Sequence, residues 1–164
     1  MPLVDPGKKA PAFALKDQDG KLHRLSDYAD RPVVLVFYPK DMTKDCTTEV
    51  CNFRDLLPKF KRSKAQVLGI SILGEKSKRK FADAEGVNYP LLADDRENDA
   101  GKPDPEICQK YGVWAEKSMY GRKYMGIVRT TYLIAPGGKV VKRWDKVSVT
   151  GHADDVLAAV KELG

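Results

Sequence analysis

The feature that most constrains the fold is an unbroken run of apolar, β-branched and aromatic residues at Val33–Tyr38, VVLVFY. It predicts a strand buried on both faces of a sheet, because a strand with one solvated face would alternate apolar and polar residues. A second such run, VLGISIL, follows at Val67–Leu73. Between the two runs, apolar residues recur at helical spacing: Val50, Phe53, Leu57 and Phe60. Two buried strands joined by a helix predict a parallel β-α-β unit, and Pro58 predicts a kink or break in that helix.

The rest of the chain extends this unit to the order β-α-β-α-β-α-β-β-α. The predicted helices are Glu75–Glu85, Pro103–Tyr111 and His152–Leu163, and the further strands are Tyr89–Ala93, Val128–Ile134 and Val140–Trp144. Short strands at Ala12–Leu15 and His23–Leu25 predict an N-terminal β-hairpin extension. We expect a single α/β domain over residues 1–164, with a central mixed β-sheet flanked by helices. Function in such sheets gathers at the carboxyl ends of the strands.

The composition indicates where in the cell the protein is expected to function. Hydrophobic residues make up 42% and charged residues 32%, as in soluble globular proteins. No apolar run approaches the roughly 20 residues that a membrane span needs. The first residues, MPLVDPGKKAPAF, lack the apolar segment of a secretory signal. We expect a cytoplasmic protein with no membrane partner, and a chain that has already lost a targeting segment stays an alternative.

The net charge of +6 is concentrated in KFKRSK (59–64) and EKSKRK (75–80). Such segments favour nucleic-acid binding only when a recognition motif or interleaved exposed aromatic residues accompany them. Neither is present, so we expect solvated helix faces and no specific nucleic-acid partner. A basic nucleic-acid-binding or chaperone-like module is the alternative from another functional class.

Two of the three cysteines, Cys46 and Cys51, stand directly after the first buried run. The odd count and the lack of a signal segment favour reactive or buried thiols in a reducing compartment. Cys46 falls where the predicted helix begins, and the unpaired N–H groups and positive dipole end there favour a thiolate. Cys46 is therefore the candidate nucleophile. The Thr43 hydroxyl, three residues earlier, is placed to reach the thiolate or a substrate oxygen, and Pro39 shapes the loop that leaves the strand.

Helix geometry keeps the two thiols apart. Five residues along a regular helix separate two Cα atoms by about 8–9 Å, whereas a disulfide needs roughly 4.4–6.8 Å. The two sulfurs can therefore bond only if the first turns unwind. This favours a reaction in which a peroxide first oxidises one thiol to sulfenic acid, which then condenses with the second thiol.

The thiols and histidines also have alternative roles. Two buried core cysteines or a metal site are the alternatives for Cys46 and Cys51. His23 and His152 lack metal-ligand spacing to other candidates, and we expect His152 to begin or cap the last helix. Cys108 is most simply a small buried hydrophobe, with a second resolving or regulatory role as its alternative. Four aromatic residues are expected in core or groove packing, some of them at the mouth of the site: Trp114, Tyr120, Tyr124 and Trp144.

The sequence resembles the peroxiredoxins, and closely the Q-type subgroup, the bacterioferritin comigratory proteins. Their active-site pattern P-x-x-x-T-x-x-C matches Pro39, Thr43 and Cys46. The resemblance covers nearly the whole chain and rests also on APAFALKDQDGK, CTTEVCNFRD, YGVWAEKSMYGRKYMGIVRTTYLI, GGKV and GHADDVL. It implies a thioredoxin-like fold.

The resemblance also implies roles for individual residues. Cys46 matches the peroxidatic cysteine and Cys51 the resolving cysteine on the same helix. Thr43 matches the hydroxyl that helps to bind the peroxide, and Arg129 the guanidinium that holds the thiolate and polarises the peroxide. Implied with them are reduction of hydrogen peroxide and alkyl hydroperoxides through a Cys46–Cys51 disulfide and recycling by thioredoxin or a similar dithiol. The subgroup implies a monomer or weak dimer that needs no metal, haem or flavin.

Two departures from the pattern affect what is expected. Lys44-Asp45 stands where the family usually has Pro-Gly, and an inward-pointing Asp45 would disfavour the thiolate while Lys44 would favour it. SILGEK at Ser71–Lys76 differs from the usual S-x-D-S segment. The alternative enzyme is a general thiol–disulfide oxidoreductase on the same fold, which would ignore peroxide.

Overall fold

The computed structural model describes residues 2–163. Within them the strands are β1 (Ala14–Lys16), β2 (Leu22–Arg24), β3 (Val33–Phe37), β4 (Gln66–Ser71), β5 (Leu91–Ala93), β6 (Trp114–Met119), β7 (Arg122–Ile127), β8 (Thr130–Ile134) and β9 (Val140–Trp144). The helices are α1 (Lys44–Arg62), α2 (Glu75–Glu85), α3 (Glu106–Lys110) and α4 (His152–Leu163), and a 3₁₀ turn covers Leu25–Tyr28.

Seven strands form one mixed sheet in the order β2-β1-β5-β4-β3-β8-β9. β4 pairs in parallel with both β3 and β5, and β8 runs antiparallel to β3 and β9. The N-terminal hairpin β1–β2 joins this sheet through an antiparallel contact of β1 with β5. The mixed sheet and the N-terminal hairpin predicted from the sequence are therefore present.

The run VVLVFY lies near the middle of the sheet, and its side chains alternate between two cores. Val34 and Val36 join the core under α1, α2 and α4, whereas Val33, Leu35 and Phe37 join the core on the opposite face. Because both faces of β3 are covered, every one of its residues is buried and apolar.

Helix α1 leads from the carboxyl end of β3 and passes through Pro58 without a break. Of the predicted kink or break, the break is therefore wrong, and the kink stays a prediction. Pro58 cannot donate to the Arg54 carbonyl, and the Asn88 amide donates to that oxygen instead at 3.5 Å. Pro58 itself is exposed, where its ring does not disturb the core.

The hairpin β6–β7 was not predicted. It forms a separate two-stranded sheet whose residues are mostly exposed, so its sequence carries no buried face to reveal it. Tyr120 at its tip is fully exposed and Tyr124 is 42% exposed, so the expected core or groove packing is wrong for these two residues. Trp114 and Trp144 do pack against the two cores.

None of the helices within residues 2–163 has the length and apolar character required to span a bilayer. His152 begins α4, as predicted.

Candidate active site

Cys46 is the third residue of α1 and is only 1% exposed. A short loop from Tyr38 to Thr43 connects it to the carboxyl end of β3, the edge at which function was expected. The Thr47 N–H donates to the Thr43 carbonyl at 2.8 Å as the first hydrogen bond of the helix. The backbone N–H groups just before it have no helical acceptor, and they give the start of α1 a positive electrostatic character.

Arg129 reaches Cys46 from the position just before β8, the strand that pairs with β3. It directly precedes Thr130, which pairs with Phe37, the last residue of β3. Its Nη2 donates to Cys46 Sγ at 3.4 Å. Sheet pairing thus brings together two residues that are 83 positions apart in the chain.

Glu49 holds the other side of the same guanidinium. Arg129 Nη1 lies 2.7 Å from Glu49 Oε1, while Glu49 Oε2 has no hydrogen-bond partner among the described residues. Burial raises the pKa of Glu49 to about 7, against the lowering effect of Arg129. Glu49 was missed at the level of sequence. Its signal is its place three residues after Cys46, on the same side of a helix.

The two neighbours of Arg129, Glu49 and Cys46, raise its pKa. Burial lowers it, but Glu49 and Cys46 more than offset this and leave the pKa raised. The guanidinium is therefore a permanent cation beside Cys46 Sγ, and its charge is divided between a thiol and a carboxyl group.

Thr43 and Pro39 lie in the segment between β3 and Cys46, and the Thr43 hydroxyl bonds to the backbone and not to the Cys46 sulfur. Thr43 is the exposed N-cap residue of α1, and its hydroxyl donates to the Lys40 carbonyl at 3.0 Å. Pro39 is half-buried at the start of the loop.

Cys51 lies on the same uninterrupted helix but faces a different neighbour. Its Sγ donates to Glu85 Oε2, near the end of α2, at 3.6 Å. Burial raises the pKa of Cys51, and Glu85 raises it further. Cys46, Cys51 and Cys108 are all free thiols. Because α1 is regular from Lys44 to Arg62, the separation of about 8–9 Å between the two Cα atoms applies.

Residues 6–143 match the model of the AhpC/TSA family. The chain belongs to this family. It is 37% identical over 160 residues to the peroxiredoxin Bcp of Bacillus subtilis, covering 98% of this chain and 97% of that protein.

Solved structures of related bacterial proteins have the same fold as this peroxiredoxin. A cysteine-to-serine mutant of Xylella fastidiosa PrxQ superposes with a TM-score of 0.86 at 36% identity, over 97% of this chain and 96% of that one. The bacterioferritin comigratory protein of Xanthomonas campestris, studied for its alkyl peroxide reduction activity, superposes with a TM-score of 0.85. Its identity is 39%, over 96% of this chain and 98% of that chain. The predicted family and thioredoxin-like fold are confirmed.

The two residues at which the sequence departs from the family pattern are both solvent-exposed. Lys44 and Asp45 are exposed in the first turn of α1. Asp45 therefore does not enter the Cys46 pocket, and as an acidic residue in a first turn it suits the helix dipole.

Cys108 on α3 is buried, as predicted. Its backbone N–H donates to Asp94 Oδ2 at 2.7 Å. Burial raises the pKa of its thiol well above the usual value, and Asp94 raises it further. A buried thiol held in its protonated form is a poor nucleophile.

One basic residue of EKSKRK is not on a solvated face. Lys78 on α2 is fully buried and pairs with Asp41 of the active-site loop, so the predicted solvated face is wrong at this position. A sequence pattern does not reveal this pairing, because lysine is almost never buried unless it finds a partner elsewhere in the fold. Within residues 2–163, no group of His, Cys, Asp and Glu side chains is arranged to hold a metal ion.

Proposed function

We propose that this peroxiredoxin reduces hydrogen peroxide and alkyl hydroperoxides with Cys46 as the attacking thiolate. The observation that carries the proposal is the contact of Arg129 Nη2 with the buried Cys46 Sγ at the start of α1. A fixed cation and free helix N–H groups stabilise the thiolate and the negative charge that develops on the peroxide oxygens.

In the first step the thiolate attacks one oxygen of the peroxide. A sulfur–oxygen bond forms, the O–O bond breaks, and water or an alcohol leaves after it takes up a proton. Cys46 becomes a sulfenic acid. Arg129 is positioned for this step, and the Thr43 hydroxyl is available at the mouth of the pocket if it exchanges its bond to the Lys40 carbonyl for one to the substrate.

In the second step the Cys51 sulfur attacks the sulfenic sulfur, the S–O bond breaks, and water leaves. The resulting Cys46–Cys51 disulfide cannot form on a regular α1, so the first turns must unwind. The Cys51 pKa is raised in the folded state by burial and by Glu85. Release from Glu85 during unwinding would therefore also favour the Cys51 thiolate.

A thiol reductant must then reopen the disulfide by exchange. We assign this role to a thioredoxin-like dithiol, since exchange leaves both reductant sulfurs joined and needs no further cofactor. The whole cycle is proposed to run within one domain of a monomer or weak dimer.

The test is peroxide consumption with a thioredoxin system. Cys46→Ser should abolish turnover, because no other described cysteine contacts Arg129. The same proteins are assayed with a protein disulfide as substrate. Wild-type turnover by Cys46→Ser, or faster reaction with the disulfide than with peroxide, would overturn the proposal and favour a general oxidoreductase.

A further inference from the structure

Asp41, in the loop between β3 and α1, is held by three buried donors and one half-buried donor that the peroxidase reaction does not use. Its Oδ1 accepts from the Tyr38 hydroxyl at 2.6 Å, from Lys78 Nζ at 3.0 Å and from the Ser71 hydroxyl at 3.2 Å. Its Oδ2 accepts from the Ser77 hydroxyl at 2.7 Å and from Lys78 Nζ at 3.1 Å. We call these five residues the Asp41 cluster.

The Asp41 cluster joins the active-site loop to two other elements. Ser71 is the last residue of β4, and Ser77 and Lys78 lie in the first turns of α2. Lys78 Nζ also donates to the Ser71 hydroxyl and lies 5.4 Å from the centre of the Tyr38 ring. Both members of the ion pair are almost completely inaccessible, with side-chain exposures of 0% and 1%.

The loop changes from buried to exposed immediately after Asp41. Met42 is half exposed and has a φ of 67°, a strained value for a side chain of this kind. Thr43, Lys44 and Asp45 are all exposed before the chain reaches the buried Cys46. Asp41 is thus the last firmly held residue upstream of the segment that must rearrange.

We propose that the Lys78–Asp41 pair is the positioning device that holds the loop and the first turn of α1 closed around Cys46, and so sets how readily Cys46 leaves its pocket to meet Cys51. The inference rests on the proposed function, because unwinding of α1 is needed only if these two cysteines pair. Lys78 and Asp41 are positioning residues, since neither touches Cys46.

The direction of the effect follows from what changes when the segment opens. An interaction shifts an equilibrium between two states only when it is stronger in one of them. If the loop pulls away from β4 and α2 as α1 unwinds, the donors around Asp41 are lost in the open state. Their removal should then favour opening, speed the formation of the disulfide, and slow the reaction with peroxide, which needs the closed pocket.

Hydrogen exchange of the reduced protein tests this without any use of peroxidase activity. In Lys78→Met, amides of residues 42–50 should exchange on the order of tenfold faster relative to wild type, because the ion pair that ties Asp41 to α2 is lost. The exchange of α4 and of β8 should change far less. The control is Ile134→Ala, which removes a buried side chain at the end of β8 away from Arg129. This control variant should weaken the whole structure without a selective increase in the amide exchange of residues 42–50.

The variant Asp41→Leu with Lys78→Met separates positioning from stability. Removing both charges should restore much of the free energy of unfolding measured in urea. The fast amide exchange of residues 42–50 should nevertheless persist. Equal exchange in wild type and Lys78→Met, or exchange in the double variant that returns to wild type, would overturn the proposal.

A kinetic readout links the device to the reaction. Lys78→Met should oxidise more slowly with peroxide, form the Cys46–Cys51 disulfide faster, and resist overoxidation of Cys46 to sulfinic acid. If Cys46→Ser retains peroxidase turnover while Lys78→Met still shows fast local exchange, the proposed function fails but the positioning role survives. If Cys46→Ser is inactive and the local exchange is unchanged, only the positioning role fails.

Discussion

At the scale of single residues, one guanidinium serves two groups on the same helix. Arg129 donates to Cys46 Sγ through Nη2 and to Glu49 Oε1 through Nη1. Only a planar group with several fixed donors can hold both at once, and a lysine ammonium offers no such fork. The reactivity of Cys46 should therefore depend on the identity of residue 129 and on the charge of Glu49.

Arg129→Lys should slow the oxidation of Cys46 by peroxide by about 10²–10³-fold, as expected when a charge-stabilising donor is lost. The measurement is the second-order rate of sulfenic acid formation in stopped flow. Arg79→Lys is the matched control, because Arg79 is an exposed guanidinium paired with Asp19 and Asp83. A rate for Arg129→Lys equal to that of the control would contradict the role of Arg129.

Glu49→Gln should change how Cys46 responds to pH. Because the pKa of Glu49 is raised to about 7, its carboxyl group is mostly protonated below that pH and ionised above it. An ionised Glu49 competes with the Cys46 thiolate for the positive charge of Arg129, and it places a negative charge near the thiolate. The variant should therefore react with iodoacetamide much like wild type near pH 5.5, and faster than wild type above about pH 7.5. A ratio of the two rates that stays constant across this range would show that Glu49 does not titrate there.

At the scale of elements, α1 carries both proposed reactive thiols, and the two thiols contact different neighbouring residues. Cys46 belongs to the core beside Arg129, and Cys51 faces the end of α2. The order of the proposed reaction follows from this separation, since Cys46 meets a peroxide in the folded state and Cys51 only after unwinding.

Cys51→Ser should still consume about one peroxide per chain but should recycle poorly with thioredoxin, because the sulfenic acid has no resolving partner. Peroxide consumed in a single turnover and in steady state is measured separately. Cys108→Ser is the matched control and should recycle normally, since the Cys108 thiol is buried on α3. Normal recycling by Cys51→Ser would assign resolution to another thiol.

The elements also show what a sequence pattern can reveal. The bounds of α2, β9 and α4 agree with those predicted. Helix α4 has a clear apolar period, and α2 ends at Gly86, which has a φ of 61°. The predicted helix at Pro103–Tyr111 is shorter, at Glu106–Lys110. The hairpin β6–β7 was missed because strands without a buried face carry no periodic apolar signal.

At the scale of the whole molecule, the site depends on contacts that no local pattern contains. Cys46, Thr43, Pro39 and Arg129 could be named because a motif and a resemblance point to them. Asp41 and Lys78 could not, because charged residues are usually exposed and only the complete fold shows them buried. Glu49 had only its helical spacing from Cys46 to indicate it. The strand pairing of β3 with β8 and the packing of α2 decide their environments.

The fold should also lose stability in mild acid through His152. Burial lowers the pKa of this histidine to about 4, and its Nε2 lies 2.7 Å from the Thr131 hydroxyl. A pKa below the unfolded value of about 6.5 means that the folded state resists protonation, so stability falls as pH falls from about 6.5 towards 4.

His152→Gln should therefore lose less free energy of unfolding between about pH 7 and pH 5 than wild type does. The measurement is urea denaturation at both pH values. Glu49 acts in the opposite direction, since its raised pKa gives stability that is lost as pH rises from about 4.5 towards 7. This effect is common to both proteins and cancels in the comparison. An equal loss in the two proteins would exclude His152 as the cause.

The central claim is that Cys46 is oxidised first and then joins Cys51 on the same helix. The most direct test is mass spectrometry of the reduced protein after one equivalent of peroxide, with the disulfide linkage mapped among Cys46, Cys51 and Cys108. The account predicts an intramolecular Cys46–Cys51 bond with Cys108 still a free thiol. A Cys46–Cys108 bond, a bond between two chains, or a Cys46 left as sulfenic acid with Cys51 unreacted would contradict it.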